Sequence, residues 1–413
     1  MPENELIHLS SVDFEEAMDF MNMVFSMSGG STDFPALLPK LYRPDENLMH
    51  ANLAIRRKGR IRAVVGSYPM TFQVGKAILP VRGIGGVSTH PAEQKSGLMR
   101  QLMLAALAEM AEEHCALSIL GGQRQRYGYY GYEQGGSVLS IRITKSNLRH
   151  FLRNRQPRAI QFTRAGSDLT ENQDSISLMM AWHDRQPVHA CRRKSDYLAI
   201  LASWNNHAWL AVNDDGELLG YLTANADGTH VPELIARDPS LQLDLAAAWA
   251  MRQPAGSIRF SFPPWQPEAI RILSEIGESV EINPSLNIRI IDWPLVLASF
   301  LQVQGDLKHI PEGTLRLGLA EQTPGPGQAC GQENVKIFEL VWQQGLASCR
   351  EIHIGPDQQP DLTLDRFTAT RLVTGPMPPQ YVLPAADLKN PLLAGLLAEW
   401  FPLPVCFPEP DHV

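Results

Sequence analysis

Two short stretches of the chain carry residue types that could do chemistry together. The first is His90-Pro91-Ala92-Glu93-Gln94-Lys95-Ser96-Gly97-Leu98-Met99-Arg100; the second, downstream, is Tyr127-Gly128-Tyr129-Tyr130-Gly131-Tyr132. In the first, a strand candidate ending at Val87-Ser88-Thr89 runs through a polar turn into Leu98, Leu102, Met103, Ala106 and Met110, whose spacing predicts one helical face. A strand, a glycine-bearing loop and a helix start bring unpaired first-turn N–H groups and the positive end of the helix dipole to one spot. Such a spot suits a diphosphate. Gly97 lets a ligand approach the backbone, and Lys95 adds charge. In the second stretch Tyr127 offers a phenol of ordinary pKa about 10, a group that carries its proton at neutral pH. Gly128 and Gly131 are expected to bend the chain and aim that phenol, with Tyr130 and Tyr132 packing behind it and Tyr129 given no chemical part. Arg124 and Arg126 could steer an anion or simply be solvated.

Other phosphate loops do not fit. G-x-x-x-x-G-K-[ST] is absent, and Gly83, Gly85 and Gly86 precede the strand end, where a dinucleotide fingerprint would follow it. The five cysteines (115, 191, 330, 349 and 406) are widely spaced without C-x-x-C, and the twelve histidines form no H-x-x-x-H, so neither a disulfide framework nor a zinc site is expected. A net charge of −8 speaks against a nucleic-acid partner and suits a cationic small substrate. The opening MPENELIHLSS lacks a basic and an apolar region, and no apolar run is long enough to span a bilayer; a cytoplasmic protein is expected.

These residues need a frame, and 413 residues call for two or three domains. Glu5–Leu9 reads as a strand and the following segment as a helix with a capping box of Asp13 and Glu16. A long polar loop, Ser26–Asn47, would border the substrate, with Asp33, Asp45 and Glu46 either drawing a cationic amine or merely solvating the loop. A hairpin bends at Lys58-Gly59. Its pattern Leu53-Ala54-Ile55, Gly59, Ile61 recurs at the same spacing as Leu210-Ala211-Val212, Gly216, Leu218, which points to a duplicated α/β unit. In the second copy Arg237-Asp238-Pro239-Ser240-Leu241 replaces the glycine loop; with a proline and an acid there it should hold no pyrophosphate. Beyond Asn283-Pro284 the texture becomes α+β: a helix from Trp293, strand candidates TLRLGLA, ENVKIFELVW and SCREIHIG, a hairpin loop TPGPGQACGQEN, and a helix near Pro391–Trp400.

Gln94 to Met99 resembles the acetyl-coenzyme A loop of the GNAT acetyltransferases, [QR]-x-x-G-x-[GA], with Met99 in the last place, and Tyr127 to Tyr132 resembles their Y-x-x-x-G-[FY]. The match extends to the Eis-like (enhanced intracellular survival) group, whose H-P-x-x-x-x-x-G-[LI]-[LM]-R and Y-G-x-F-G-Y are met here with Tyr130 for the phenylalanine. The resemblance covers the whole chain and implies an α/β (α+β) protein of three domains: a catalytic GNAT domain (1–150), a second GNAT-like domain without cofactor (151–290) and a sterol-carrier-protein-like domain (291–413). It implies an acetyl-coenzyme A-dependent N-acetyltransferase that assembles as a hexamer and acts on a primary amine of an aminoglycoside- or polyamine-like molecule, the alternative being a non-catalytic coenzyme A- or lipid-binding protein. Gln94, Lys95, Ser96, Gly97 and Leu98 would hold the pyrophosphate. Val87, Ser88 and Thr89 would pair with the pantetheine, entering where this strand splays from Ala116–Leu120, and the N–H of Val87 or a neighbour would polarise the thioester. Tyr127 would be the general acid. In such proteins the chain's terminal carboxylate is the base, which falls here to Val413; the tail is longer than usual, so Asp411 or His412 remain alternatives.

Overall fold

The computed structural model describes residues 5–155, 158–166, 173–321, 334–355 and 358–413. The first unit holds β1 (Glu5–His8), α1 (Phe14–Gly29), β2 (Asn52–Arg57), β3 (Arg60–Val74), β4 (Ala77–Thr89), α2 (Leu98–Glu112), β5 (Leu117–Leu120) and β6 (Glu133–Gly135). The second holds β7 (Val138–Thr144), β8 (Gln161–Arg164), β9 (Val188–Ala190), β10 (Asn206–Val212), β11 (Leu218–Asn225), β12 (His230–Val231), β13 (Glu233–Ala236), α3 (Gln242–Arg252), β14 (Ser257–Phe262) and β15 (Ser279–Asn283). There follow β16 (Leu286–Ile290), α4 (Trp293–Leu307), β17 (Gly313–Glu321), β18 (Asn334–Gln343), β19 (Leu346–Ile352), β20 (Leu362–Asp365), α5 (Arg366–Thr374) and α6 (Pro391–Trp400).

The hairpin of β2 and β3 forms as its sequence demands. Lys58 and Gly59 both take positive φ, the backbone of a tight turn whose twist matches the strands. β10 and β11 also pair as a hairpin, through a longer turn between Val212 and Leu218 in which Gly216 takes positive φ. The cap of α1 differs from expectation. Ser10 and Asp13 form the reciprocal box one turn earlier, while Glu16 accepts the Ile61 N–H from β3.

Sheet pairing crosses the expected limits at residues 150 and 290. The first sheet runs β1-β2-β3-β4-β5-β16-β6, with β9 added on β3. So β16, far downstream, closes the first unit between β5 and β6, and β7, from the expected first domain, pairs with β14 and β15 instead. Apolar alternation predicts a strand without naming its partner, so this exchange could not be foreseen. The other sheets are β13-β11-β10-β8, β12-β14-β7-β15 and β19-β18-β17-β20. The last, with α4, α5 and α6, shares one core with the first sheet: Phe72, Val81 and Ile288 pack in the same cluster as Phe300, Leu317 and Trp400. The TPGPGQACGQEN stretch and Cys330 lie outside the described residues, apart from Asn334, which pairs with Glu321 where β17 and β18 meet. Among the described residues no helix is long and apolar enough to cross a membrane.

Candidate active site

The site grows out of β4. Its parallel pairing with β5 runs from Val81–Leu117 to Ile84–Leu120 and stops, while β4 continues to Thr89 along β3. Past Leu120, where β5 ends, the last residues of β4 have no partner in β5. On the β3 side the ladder passes from Gly66–Gly85 to Val64–Ser88, leaving Gly86 and Val87 opposite the single residue Val65. Such a bulge re-aims backbone groups out of the sheet. Gly86 has φ +60, and a methyl there would meet Met21 Cε at 2.5 Å and the Tyr42 hydroxyl at 2.7 Å, so glycine is required on both counts.

Beyond β4, Lys95 and Gly97 take left-handed conformations, φ 65 and 84. Gly97 is the N-cap of α2; no side chain caps it, and a methyl built there has nothing within 4 Å. The first-turn donors thus face open space, and the helix is held from behind by buried Leu98, Leu102, Met103, Ala106 and Met110, the face the sequence marked. A groove of about 560 Å³ opens here, lined by Val87, Thr89, Gln94, Lys95, Gly97, Leu98 and Met99 together with Val24, Phe25, Glu93, Gln123 and Arg126. Two of the expected cofactor residues keep their side chains out of it: the Ser88 hydroxyl turns back onto the Gly86 carbonyl at 2.9 Å and the Ser96 hydroxyl onto that of Glu93. Phe25 and Val24, from the end of α1, were not foreseen as lining residues.

Tyr127 sits in the helical turn Arg124–Gly128, 8 % exposed, with its ring against Gly122 (φ +100), where a methyl would approach Cε2 to 3.1 Å. Burial raises its pKa above the phenol's ordinary value, Arg126 opposing and Tyr130 adding to the rise, so the group stays protonated. Among the described residues nothing hydrogen-bonds its hydroxyl. Tyr132 is buried with its hydroxyl 2.7 Å from Ser118 Oγ, and Tyr130 is half-buried, so both do pack as expected; Tyr129 is 85 % exposed. The bend is made by Gly131 (φ +78), where a side chain would collide with the Arg289 guanidinium, whereas Gly128 lies in the helical turn with room for a methyl. Arg126 lines the groove; Arg124 is bound to Glu133, which also takes Arg371 at 3.2 Å.

The tail returns to the same strand. A methyl at Gly83 would lie 2.5 Å from Val413 Cγ2, and one at Gly85 would lie 3.1 Å from the Val413 carboxyl carbon. Gly83 and Gly85 are two apart and so share a face of β4. That repeat of bare positions was the available sequence signal for a segment lying on the strand. Asp411, an alternative base, is committed elsewhere. It is buried, and both its oxygens bind Arg192 at 2.9 and 2.8 Å. Burial works to raise its carboxyl, but the charge and hydrogen bonds of Arg192 prevail and hold it below the ordinary value. His412 Nε2 meets the Phe407 carbonyl at 2.7 Å, and burial lowers its pKa. The acids of the long loop are helix caps or braces: Asp33 takes the Ala36 N–H, Asp45 that of Leu48 and Glu46 that of Ser11. They form no anionic wall.

A strand bulge, an uncapped helix start and an open groove thus lie together at the end of β4. Residues 5–135 match the family model of the acetyltransferase (GNAT) domain. The chain thus carries a GNAT acetyltransferase domain and is an acetyltransferase enzyme. Comparison with curated proteins returns no match. Solved structures share the fold over nearly the whole chain. A protein of unknown function from Enterococcus faecalis V583, described as a probable N-acyltransferase, is 15 % identical with TM-score 0.66, covering 98 % of each chain. A GCN5-related N-acetyltransferase from Kribbella flavida is 18 % identical with TM-score 0.64, covering 99 % of this chain and 98 % of that one. Eis1 from Mycobacterium abscessus is 15 % identical with TM-score 0.62, covering 99 % of each.

Proposed function

We propose that the protein is an Eis-like, acetyl-coenzyme A-dependent N-acetyltransferase that acetylates a primary amine of a cationic small molecule, aminoglycoside- or polyamine-like, by direct transfer. The observation that carries this reading is that one strand, β4, borders the open groove at Val87 and Thr89 and carries the Val413 carboxyl against Gly85, while Tyr127 follows directly on the groove residue Arg126. The groove fits the cofactor: its bare glycine cradle, uncapped helix start and two cations, Lys95 and Arg126, suit a diphosphate. When bound, the cofactor supplies an activated acyl thioester.

The chain's own groups do the rest. The N–H groups of Gly97, Leu98 and their neighbours, with Gln94, Lys95 and Ser96 in the loop, hold the diphosphate. The backbone of Val87, Ser88 and Thr89 would hold the pantetheine, and the N–H of Val87, in the bulge, would be the fixed donor that stabilises negative charge developing on the thioester oxygen. Tyr127, kept protonated by burial, gives its proton to the leaving sulfur. The Val413 carboxylate, half-buried, takes the proton of the ammonium. An α-carboxylate of ordinary pKa about 3.5 is a weak base in water, and burial strengthens it.

The net charge of −8 supports a cationic acceptor, though the loop acids do not contribute. The division into a cofactor-binding unit, a second GNAT-like unit without cofactor and a sterol-carrier-protein-like unit, hexameric assembly and a cytoplasmic location belong to the same proposal. The test is thiol release from acetyl-coenzyme A with a panel of aminoglycosides, polyamines and lysine peptides, for the parent and Tyr127→Phe. Release with a cationic amine that collapses in the variant is expected. Cofactor binding without release on any amine would overturn the reading.

A further inference from the structure

The C-terminal segment is fixed by a buried charge cluster that the chemistry above does not use. Arg192 is 6 % exposed and grips two carboxylates at once: Glu233 at 3.0 and 2.6 Å and Asp411 at 2.9 and 2.8 Å. The three come from separate parts of the chain. Arg192 follows β9, the strand added to β3 of the first sheet; Glu233 opens β13 of the second unit; Asp411 lies two residues before Val413. Tyr221 donates to Glu233 at 2.9 Å and meets Tyr197 at 2.9 Å, so the second unit holds the acid in place. From the first unit, buried Lys40 donates to the Pro410 carbonyl. Asn206 donates to Glu409 at 3.0 Å. His183, His412 and Cys406 are further titratable groups around Asp411.

A buried ion pair is weak evidence of stability, because desolvation consumes much of the attraction; its better attested use is to specify one arrangement. Here the arrangement specified is the register of the chain's last residues. His183, Glu233 and Asp411 come close enough together to resemble a metal site, but Arg192 already occupies both carboxylates. Fork-to-fork pairing of a guanidinium with a carboxylate fixes direction as well as distance. Two residues on, the chain can then reach only the bare face of β4 at Gly83 and Gly85.

We propose that Arg192, Asp411 and Lys40 are positioning residues for acyl transfer: the second unit, which lacks a glycine loop, serves through Glu233 and Arg192 to hold the Val413 carboxylate on β4. This rests on the assignment of Val413 as the base. Its consequence is a cost in turnover with little change in cofactor binding, since a base displaced by about 1 Å loses on the order of 100-fold in rate.

The test compares the parent with Asp411→Asn, Lys40→Met and a chain lacking Val413. Two readouts are taken: steady-state kinetics, and release of Val413 by a carboxypeptidase. The parent should resist trimming. Asp411→Asn should lose about 100-fold in kcat with KM for acetyl-coenzyme A kept. It should also release Val413 at least ten times faster, and Lys40→Met should move both readouts in the same direction. If either folded variant keeps Val413 as protected as the parent, or frees it without loss of kcat, the proposal falls. Full turnover in the chain lacking Val413 would instead remove the base assignment. The trimming assay needs no substrate, so the anchoring claim is tested even then.

Discussion

The first and second units place the same parts at the same point and differ in what occupies it. In the first, β4 pairs in parallel with β5 and then departs along β3. In the second, β12 pairs in parallel with β14, and past Pro232 the chain continues as β13 along β11. Each departure leads to a helix. Before α2 stands Gly97, uncapped, beside a 560 Å³ groove. Before α3 stands no such glycine: Asp238 takes the Ser240 N–H at 2.8 Å and so caps the turn Pro239–Leu241 that leads into the helix. Between β13 and the end of β14 lies a cavity of about 30 Å³ bordered by Trp265 and Pro408 of the tail, and beside β12 one of about 210 Å³ bordered by Phe407 and His412 of the same tail. One architecture becomes a binding site or a buried support according to whether side chains or a ligand satisfy its open backbone. The second unit's support is spent on holding the tail.

The largest expected effect tests the working half of this contrast. Tyr127→Phe keeps the ring and removes the proton; kcat should fall by about 10²- to 10⁴-fold, the range for a general acid, with acetyl-coenzyme A affinity unchanged in a calorimetric titration. Next, Trp265→Ala should cost about 3–5 kcal/mol in denaturant unfolding, as large-to-small core changes do, yet confer no second cofactor stoichiometry, because Asp238 and Pro239 still stand where the first unit has its glycine loop. Gain of a second bound cofactor would break the comparison. Gly97→Val, at φ +84 and facing the groove, should weaken cofactor binding by roughly 100-fold through the loss of two or so charge-assisted backbone bonds.

The smallest effect concerns the join between the units. Burial pushes the Lys40 ammonium down to about 7, Asp411 opposing and Arg192 adding to the drop. A folded-state pKa below the unfolded value means that between pH 10.5 and 7 the unfolded chain binds the extra proton, so stability falls as pH falls through that window and levels below about 7. Lys40→Met lacks this penalty. Relative to the parent it should gain up to about 1.4 kcal/mol per pH unit as the pH is lowered from 9 to 7, measured by urea unfolding at each pH. A flat difference would mean that Lys40 keeps an ordinary pKa in the folded state.

Much of the site was legible because its signals are local. A left-handed glycine before an apolar helical face, and a hairpin turn at Lys58-Gly59, are decided by backbone sterics within a few residues. The Leu98 to Met110 face was legible for the same reason. What failed were statements about partners. Asp33, Asp45 and Glu46 looked available for an amine, yet Asp33 and Asp45 each bind a helix-start N–H three residues on, and Glu46 binds the distant N–H of Ser11. Ser88 and Ser96 belong to the right loops but point back at carbonyls. The bend assigned to both Gly128 and Gly131 is made by Gly131, beside Arg289 of β16, a strand from the far side of the second unit.

The sequence by itself determined the cradle and the phenol, since periodicity, glycine conformation and capping act over a turn or two of chain. Only the tertiary structure decided that β16 would close the first sheet, that Arg192, Glu233 and Asp411 would meet, and that Val413 would lie on Gly83 and Gly85. Those contacts join residues up to several hundred positions apart. Their selection depends on which surfaces remain to be buried and which charges remain to be paired once the local elements have formed.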